Sequence, residues 1–166
     1  APPSGRGVVF GDVHLKRLPY HMDMTCDDEL KLPLVWNLSA RAMISAGKNV
    51  RNARQAASGL YAQGILGISE EDCRRAKAPE VIDHLTLVDC LSLLAAFDNE
   101  TGEKIMTGLM MLAYSDGHMT ALEVRWASMV SEAIGLSPDD FQKCAVNARV
   151  IATMLAVRGE EQEAAS

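Results

Sequence analysis

Apolar residues recur at helical spacing in the segment that follows Thr120. Five of them fall on one stripe of a helix: Leu122, Trp126, Met129, Val130 and Ile134. Thr120 suits the N-cap of this helix, and Glu123 follows three residues later, which is the spacing of a capping box. The pattern therefore predicts a helix that begins after Thr120 and buries one face.

Similar helix signals recur along most of the chain, which predicts an all-α protein. We predict about seven helices, at residues 27–46, 49–63, a short one from 69, 79–97, 100–115, 121–134 and 138–157. Aromatic residues make up only 5% of the composition, and strands favour aromatic and β-branched side chains. A compact helical bundle is the fold class that these patterns favour.

Two stretches of the chain resemble each other. The segment ILGISEEDCRR at 65–75 parallels AIGLSPDDFQK at 133–143, and a glycine lies some twenty residues upstream of each, at Gly47 and Gly117. A repeat of about 68 residues in a helical chain predicts a duplicated helical unit. We therefore predict a bundle built from two degenerate helical repeats.

The two ends of the chain differ from the middle. Residues 1–25 hold three of the six prolines, and this composition predicts an extended N-terminal arm rather than a helix. Residues 159–166 read GEEQEAAS, which we interpret as an acidic tail. The predicted organisation is an arm at 1–25, one helical domain at 26–158 and a C-terminal tail at 159–166.

Charge and cysteine usage exclude several classes of function. A net charge of −6 gives no basic footprint for nucleic acid. The four cysteines form no C-x-x-C pair, so we interpret them as reduced packing thiols. The longest apolar run, 85–97, is too short to span a bilayer. These features suit a soluble domain of a reducing compartment, either the cytoplasm or an organelle stroma or matrix after removal of a targeting segment.

An acidic turn is the candidate for metal binding. Asp116-Gly117 with Glu123 has the D-G-x5-E spacing of the second half of an EF-hand loop. Leu112 and Tyr114 stand where the first two acidic ligands would be, which excludes an ordinary EF-hand. Two interpretations stay open: Asp116 and Glu123 bind a weak calcium or other divalent ion, or they form only a turn and a capping box.

The same segment resembles the tellurite-resistance TerB-like family. The resemblance is carried by Ser-Asp-Gly at 115–117, by Glu123 and by Ile-Gly-Leu-Ser at 134–137, and it is strongest over about 105–141. It implies an all-helical bundle with acidic, metal-binding turns in both halves. It also implies a link to tellurite resistance, to stress responses and to membrane-associated assemblies.

The first half departs from this family pattern. Its turn reads Ala46-Gly47, and Ala53 stands six residues after Gly47, so both acids that the resemblance implies there are missing. A paired-metal role is thereby weakened. Asp116 and Glu123 alone supply a ligand charge of about −2, which suits a weak divalent site at best.

A basic run lies near this degenerate turn: Arg41, Lys48, Arg51 and Arg54. It fits recognition of an acidic partner or of lipid head groups, but a solvated helix face is the favoured interpretation. No Ser, Cys or Lys stands in a nucleophile motif, and no Gly-rich phosphate loop lies between a strand and a helix. We therefore expect neither an enzyme nor a bound organic cofactor.

Two functional hypotheses follow from these observations. The first is a non-catalytic accessory or structural subunit that docks through its N-terminal arm onto a protein partner in a larger assembly. This hypothesis includes an assembly at the periphery of a membrane. The alternative is a divalent-metal-responsive module of the tellurite-resistance or stress-response type that uses Asp116 and Glu123.

Overall fold

A computed structural model describes residues 28–47, 51–115 and 117–165 of the protein. This part of the chain contains eight helices and no strand, which confirms the predicted all-α fold. In chain order the helices are α1 Asp28–Ala46, α2 Arg51–Gly64, α3 Glu70–Ala76, α4 Pro79–Ile82, α5 Leu87–Leu94, α6 Asn99–Tyr114, α7 Ala121–Ile134 and α8 Pro138–Ala165. The predicted N-terminal arm, 1–25, lies outside the described residues.

One predicted helix is divided in two. We expected a continuous helix over 79–97, but α4 ends at Ile82 and α5 begins at Leu87. Thr86 is the N-cap of α5: its hydroxyl accepts from the Asp89 N–H at 3.1 Å, and the Asp89 carboxylate accepts from the Thr86 N–H at 2.8 Å. This capping box stabilises a new helix start where the apolar pattern alone suggested continuity.

Helix α6 lies at the centre of the bundle and packs against α1, α2, α7 and α8. Most of its length is buried, from Ile105 to Ala113 without interruption. The rings of Trp36 in α1 and Tyr61 in α2 stack with their centroids 5.2 Å apart. A Cβ atom at Gly108 would lie within 3 Å of both rings. The glycine therefore lets α6 approach this aromatic pair closely.

The junctions before α3 and α8 match in detail, as the internal repeat predicts. Gly67 and Gly135 both adopt positive φ, at 69° and 80°. Two residues after each glycine, a serine caps the next helix. The Ser69 hydroxyl accepts from the Asp72 N–H, and the Ser137 hydroxyl accepts from the Asp140 N–H, both at 3.1 Å. Helix α8 continues to Ala165, so our predicted end near Val157 is too early.

Two further expectations concern the cysteines and the length of the apolar helices. Cys73, Cys90 and Cys144 are free thiols in the core, which confirms the packing role for these three. Cys26 lies outside the described residues. None of the described helices is long and apolar enough to cross a bilayer.

Candidate functional site

The start of α7 is fixed by the predicted capping box. The Thr120 hydroxyl accepts from the Glu123 N–H at 3.1 Å, and Glu123 Oε1 accepts from the Thr120 N–H at 2.9 Å. The same hydroxyl donates to the Ala46 carbonyl at 3.0 Å. Thr120 therefore connects the beginning of α7 to the end of α1, and one oxygen of Glu123 is used for capping.

The second oxygen of Glu123 binds an arginine from the other half of the chain. Arg54 in α2 donates from Nη1 to Glu123 Oε2 at 3.2 Å, and neither side chain has any exposed surface. Arg54 Nε also donates to the Ser115 hydroxyl at 3.0 Å, and that hydroxyl donates to the Leu112 carbonyl at 2.8 Å. The ion pair is thus buried and fixed by hydrogen bonds on both sides.

Gly47 provides the space that the guanidinium group of Arg54 occupies. A Cβ atom built at Gly47 would lie only 1.8 Å from Arg54 Nη1 and 2.9 Å from its Cζ. Any other residue at position 47 would displace the arginine or the backbone. The glycine that directly follows the predicted helix 27–46 therefore permits the Arg54–Glu123 contact.

Burial of both charges makes this pair sensitive to the loss of either partner. Moving a carboxylate and a guanidinium out of water costs several kcal/mol per ion, and their attraction offsets this cost only in good geometry with further hydrogen bonds. The contacts with Ser115 and Thr120 supply such bonds. A single charge left in this position would be strongly unfavourable.

The hydrogen bonds of Glu123 limit its use as a metal ligand. Both carboxylate oxygens of Glu123 already accept hydrogen bonds, one of them from a cation, so a metal ion at Oε2 would meet the positive charge of Arg54. Within the described ranges no group of three or more His, Cys, Asp or Glu side chains is placed to hold a metal. Asp116 lies outside those ranges, so the two-residue site at Asp116 and Glu123 stays a prediction.

Two other acids in the second half of the chain, Asp98 and Glu100, have local partners. Asp98 is the N-cap of α6, and its carboxylate accepts from the Thr101 N–H at 2.8 Å. Hydrogen bonding with Thr101 lowers the pKa of the Asp98 carboxyl below its usual value. Glu100 lies 3.4 Å from Lys104 one turn along the same helix.

Arg54 is the residue that sequence reasoning placed wrongly. We assigned it with Arg41 and Arg51 to a solvated basic face, yet only 1% of Arg54 is exposed. A signal was present: Arg54 directly follows Ala53, the first-half position that corresponds to Glu123, and Arg54 and Glu123 lie 69 positions apart, close to the repeat length. An arginine there can partner the remaining acid.

A comparison with known families agrees with the motifs described above. A family model described as tellurite resistance protein TerB matches residues 42–146, which is more than half of the chain and includes both partners of the ion pair. Searches of curated proteins and of solved structures gave no match. The chain belongs to the tellurite resistance protein TerB family.

Proposed function

We propose that this TerB domain is a non-catalytic structural subunit that acts by binding a protein partner. The observation that carries the proposal is the Arg54–Glu123 pair, because it neutralises inside the core the acid that the family resemblance associates with metal binding. A carboxylate held in an internal ion pair is not available to a ligand. A purely structural role for this site leaves the surface of the domain to carry the function.

The outer face of α8 supports a binding role. Val146, Val150 and Met154 are 51%, 55% and 57% exposed, and their spacing of four residues places them on one stripe of the helix. The opposite face of α8 is buried in the core through Cys144 and Ala148. Clustered exposed apolar residues are typical of interaction surfaces. We propose that this stripe contacts the partner.

The N-terminal arm, residues 1–25, is the second docking element in this proposal. Its sequence carries scattered apolar residues, among them Val8, Phe10 and Leu18, between prolines and glycines. Apolar side chains in such a segment can contact a partner surface, and attachment alongside a second contact strengthens binding. The arm and the α8 stripe would then act together.

The proposal is tested by the size of the native assembly that contains the protein in a mild cell extract. We expect the full chain to elute well above its 18.0 kDa mass, and Val150→Glu or deletion of residues 1–25 to shift it toward that mass. Ser128→Glu is the matched control, because it adds the same charge at an exposed position of another helix, α7. Elution of the full chain as a monomer would refute a partner-binding role.

The alternative function is a divalent-metal-responsive module. It requires Glu123 to release Arg54 and to join Asp116 around an ion, which would break the buried ion pair. The two functions therefore differ in how the stability of the fold responds to calcium. Only the metal-responsive module gains stability when calcium is added.

A further inference from the structure

A polar cleft of about 460 Å³ opens between α1, α2, the end of α3 and α4. Three cationic side chains from three separate elements line it: Arg41 in α1, Arg51 at the start of α2, and Lys77 at the C-cap of α3. Among the described residues that line it there is no aspartate or glutamate. The cleft is distinct from the Arg54–Glu123 site, because neither of those residues lines it.

The positive charge in this cleft is largely uncompensated. Arg41 has one carboxylate nearby, that of Asp83 at 3.8 Å, but the two side chains are 65% and 59% exposed, so the pair is weak. Among the described residues, Arg51 and Lys77 form no ion pair. The convergence of three cations without a strong partner on one cleft points to an anionic ligand.

The rest of the lining fits a small polar ligand. Ser45, Gln55 and Ser58 supply hydroxyl and amide groups, and the buried side chains of Ile44 and Ile82 supply apolar surface. Helix α2 has 14 residues and begins at Arg51, so the positive end of its dipole lies at the cleft. The volume lies in the range of small-molecule sites.

We propose that this cleft binds a phosphate group, carried by a small molecule or by a lipid headgroup. Phosphate suits the cleft because the planar guanidinium groups of Arg41 and Arg51 can each donate two hydrogen bonds to phosphate oxygens, and Lys77 adds a compact positive charge. The serine and glutamine side chains donate to the remaining oxygens. This inference does not depend on the partner-binding function.

Calorimetric titration of the full-length protein with glycerol 3-phosphate tests the free-ligand form. Binding to phosphatidylcholine vesicles with and without phosphatidic acid tests the lipid form. We expect Arg51→Gln and Lys77→Gln each to weaken binding about tenfold, since each removes a charge-assisted hydrogen bond. Arg125→Gln is the control, because it removes the same charge from an exposed position on α7 outside the cleft.

Each outcome of this experiment decides a point. Saturable binding of glycerol 3-phosphate that the cleft variants lose supports a small-molecule site. Binding only to vesicles that contain phosphatidic acid, again lost in the cleft variants, supports a lipid headgroup. No binding of either probe, or equal losses in Arg125→Gln, overturns the proposal. Elution of the protein as a monomer from a cell extract would refute the partner-binding function, but it would not change the outcome of the phosphate titration.

Discussion

Arg54 Nη1 lies 3.2 Å from Glu123 Oε2, and this contact joins the two halves of the bundle through side chains that have no exposed surface. The residues are 69 positions apart, close to the length of the internal repeat. An acid from the second half is thus neutralised by a base that lies next to the corresponding position, Ala53, in the first half. The pair accounts for the burial of Glu123 without any bound ion.

Removal of the negative partner should strongly destabilise the fold. In Glu123→Gln the Arg54 charge stays in the core without its carboxylate, and breaking a buried pair in this way costs about 3–5 kcal/mol. Urea unfolding followed by circular dichroism measures the loss. A change below about 1 kcal/mol would show that the two charges are not coupled in solution.

The pair should also show coupling in a double-mutant cycle. We expect Arg54→Met and Glu123→Met to be costly singly, and the double variant to lose less stability than their sum by about 0.5–3 kcal/mol. The reason is that the second substitution removes the buried charge whose ion pair the first has broken. Additive losses in urea unfolding would contradict a direct Arg54–Glu123 interaction.

Gly47→Ala should destabilise the protein although it adds only one methyl group. The new Cβ would lie 1.8 Å from Arg54 Nη1, so the guanidinium must move away from Glu123. We expect a loss of more than about 1 kcal/mol, measured by urea unfolding. Gly59→Ala is the matched control: a Cβ there meets nothing within 4 Å, and alanine favours the helix by about 1 kcal/mol. Equal effects of the two variants would argue against this steric requirement.

The buried thiol of Cys90 predicts a loss of stability at alkaline pH. Burial raises the pKa of Cys90 from 9.0 to about 12, and its Sγ lies 3.9 Å from the Val35 carbonyl. Above pH 9 the unfolded chain releases this proton while the folded chain keeps it, so the free energy of unfolding falls as pH rises from about 9 to about 12.

The variant Cys90→Ala isolates this contribution. Its free energy of unfolding should be lower than that of the wild type below pH 9, because the substitution leaves a small cavity. Above that pH, its stability should fall less steeply than in the wild type. Urea unfolding at a series of pH values measures both slopes, and parallel slopes would assign the alkaline effect to other groups.

Much of the fold could be predicted from local sequence signals. Thr120 with Glu123 and Ser137 with Asp140 mark helix starts through hydrogen bonds between near neighbours, so spacing alone identifies them. The break before Thr86 was missed because the apolar pattern continues across it. Thr86 and Asp89 have the same capping spacing, but an apolar run outweighed it in our prediction.

The candidate site was predicted only in part, because its partners are far apart in the chain. The spacing around Glu123 identifies a capping acid, and this local role is confirmed. The burial of Arg54 depends on the packing of α2 against α6 and on the space at Gly47, which no local pattern shows. Long-range pairing of charges is decided by tertiary structure, and the sequence hinted at it only through a separation of 69 positions, close to the repeat length.

Thermal unfolding in EDTA and then in millimolar calcium tests the central claim most directly, with Asp116→Asn as the comparison. Because Arg54 already neutralises Glu123, we expect the same Tm in both conditions for the wild type and for the variant. A bound ion would instead raise stability as RT ln(1 + [L]/Kd). A calcium-dependent rise in Tm that Asp116→Asn abolishes would contradict a purely structural ion pair and establish the metal-responsive module.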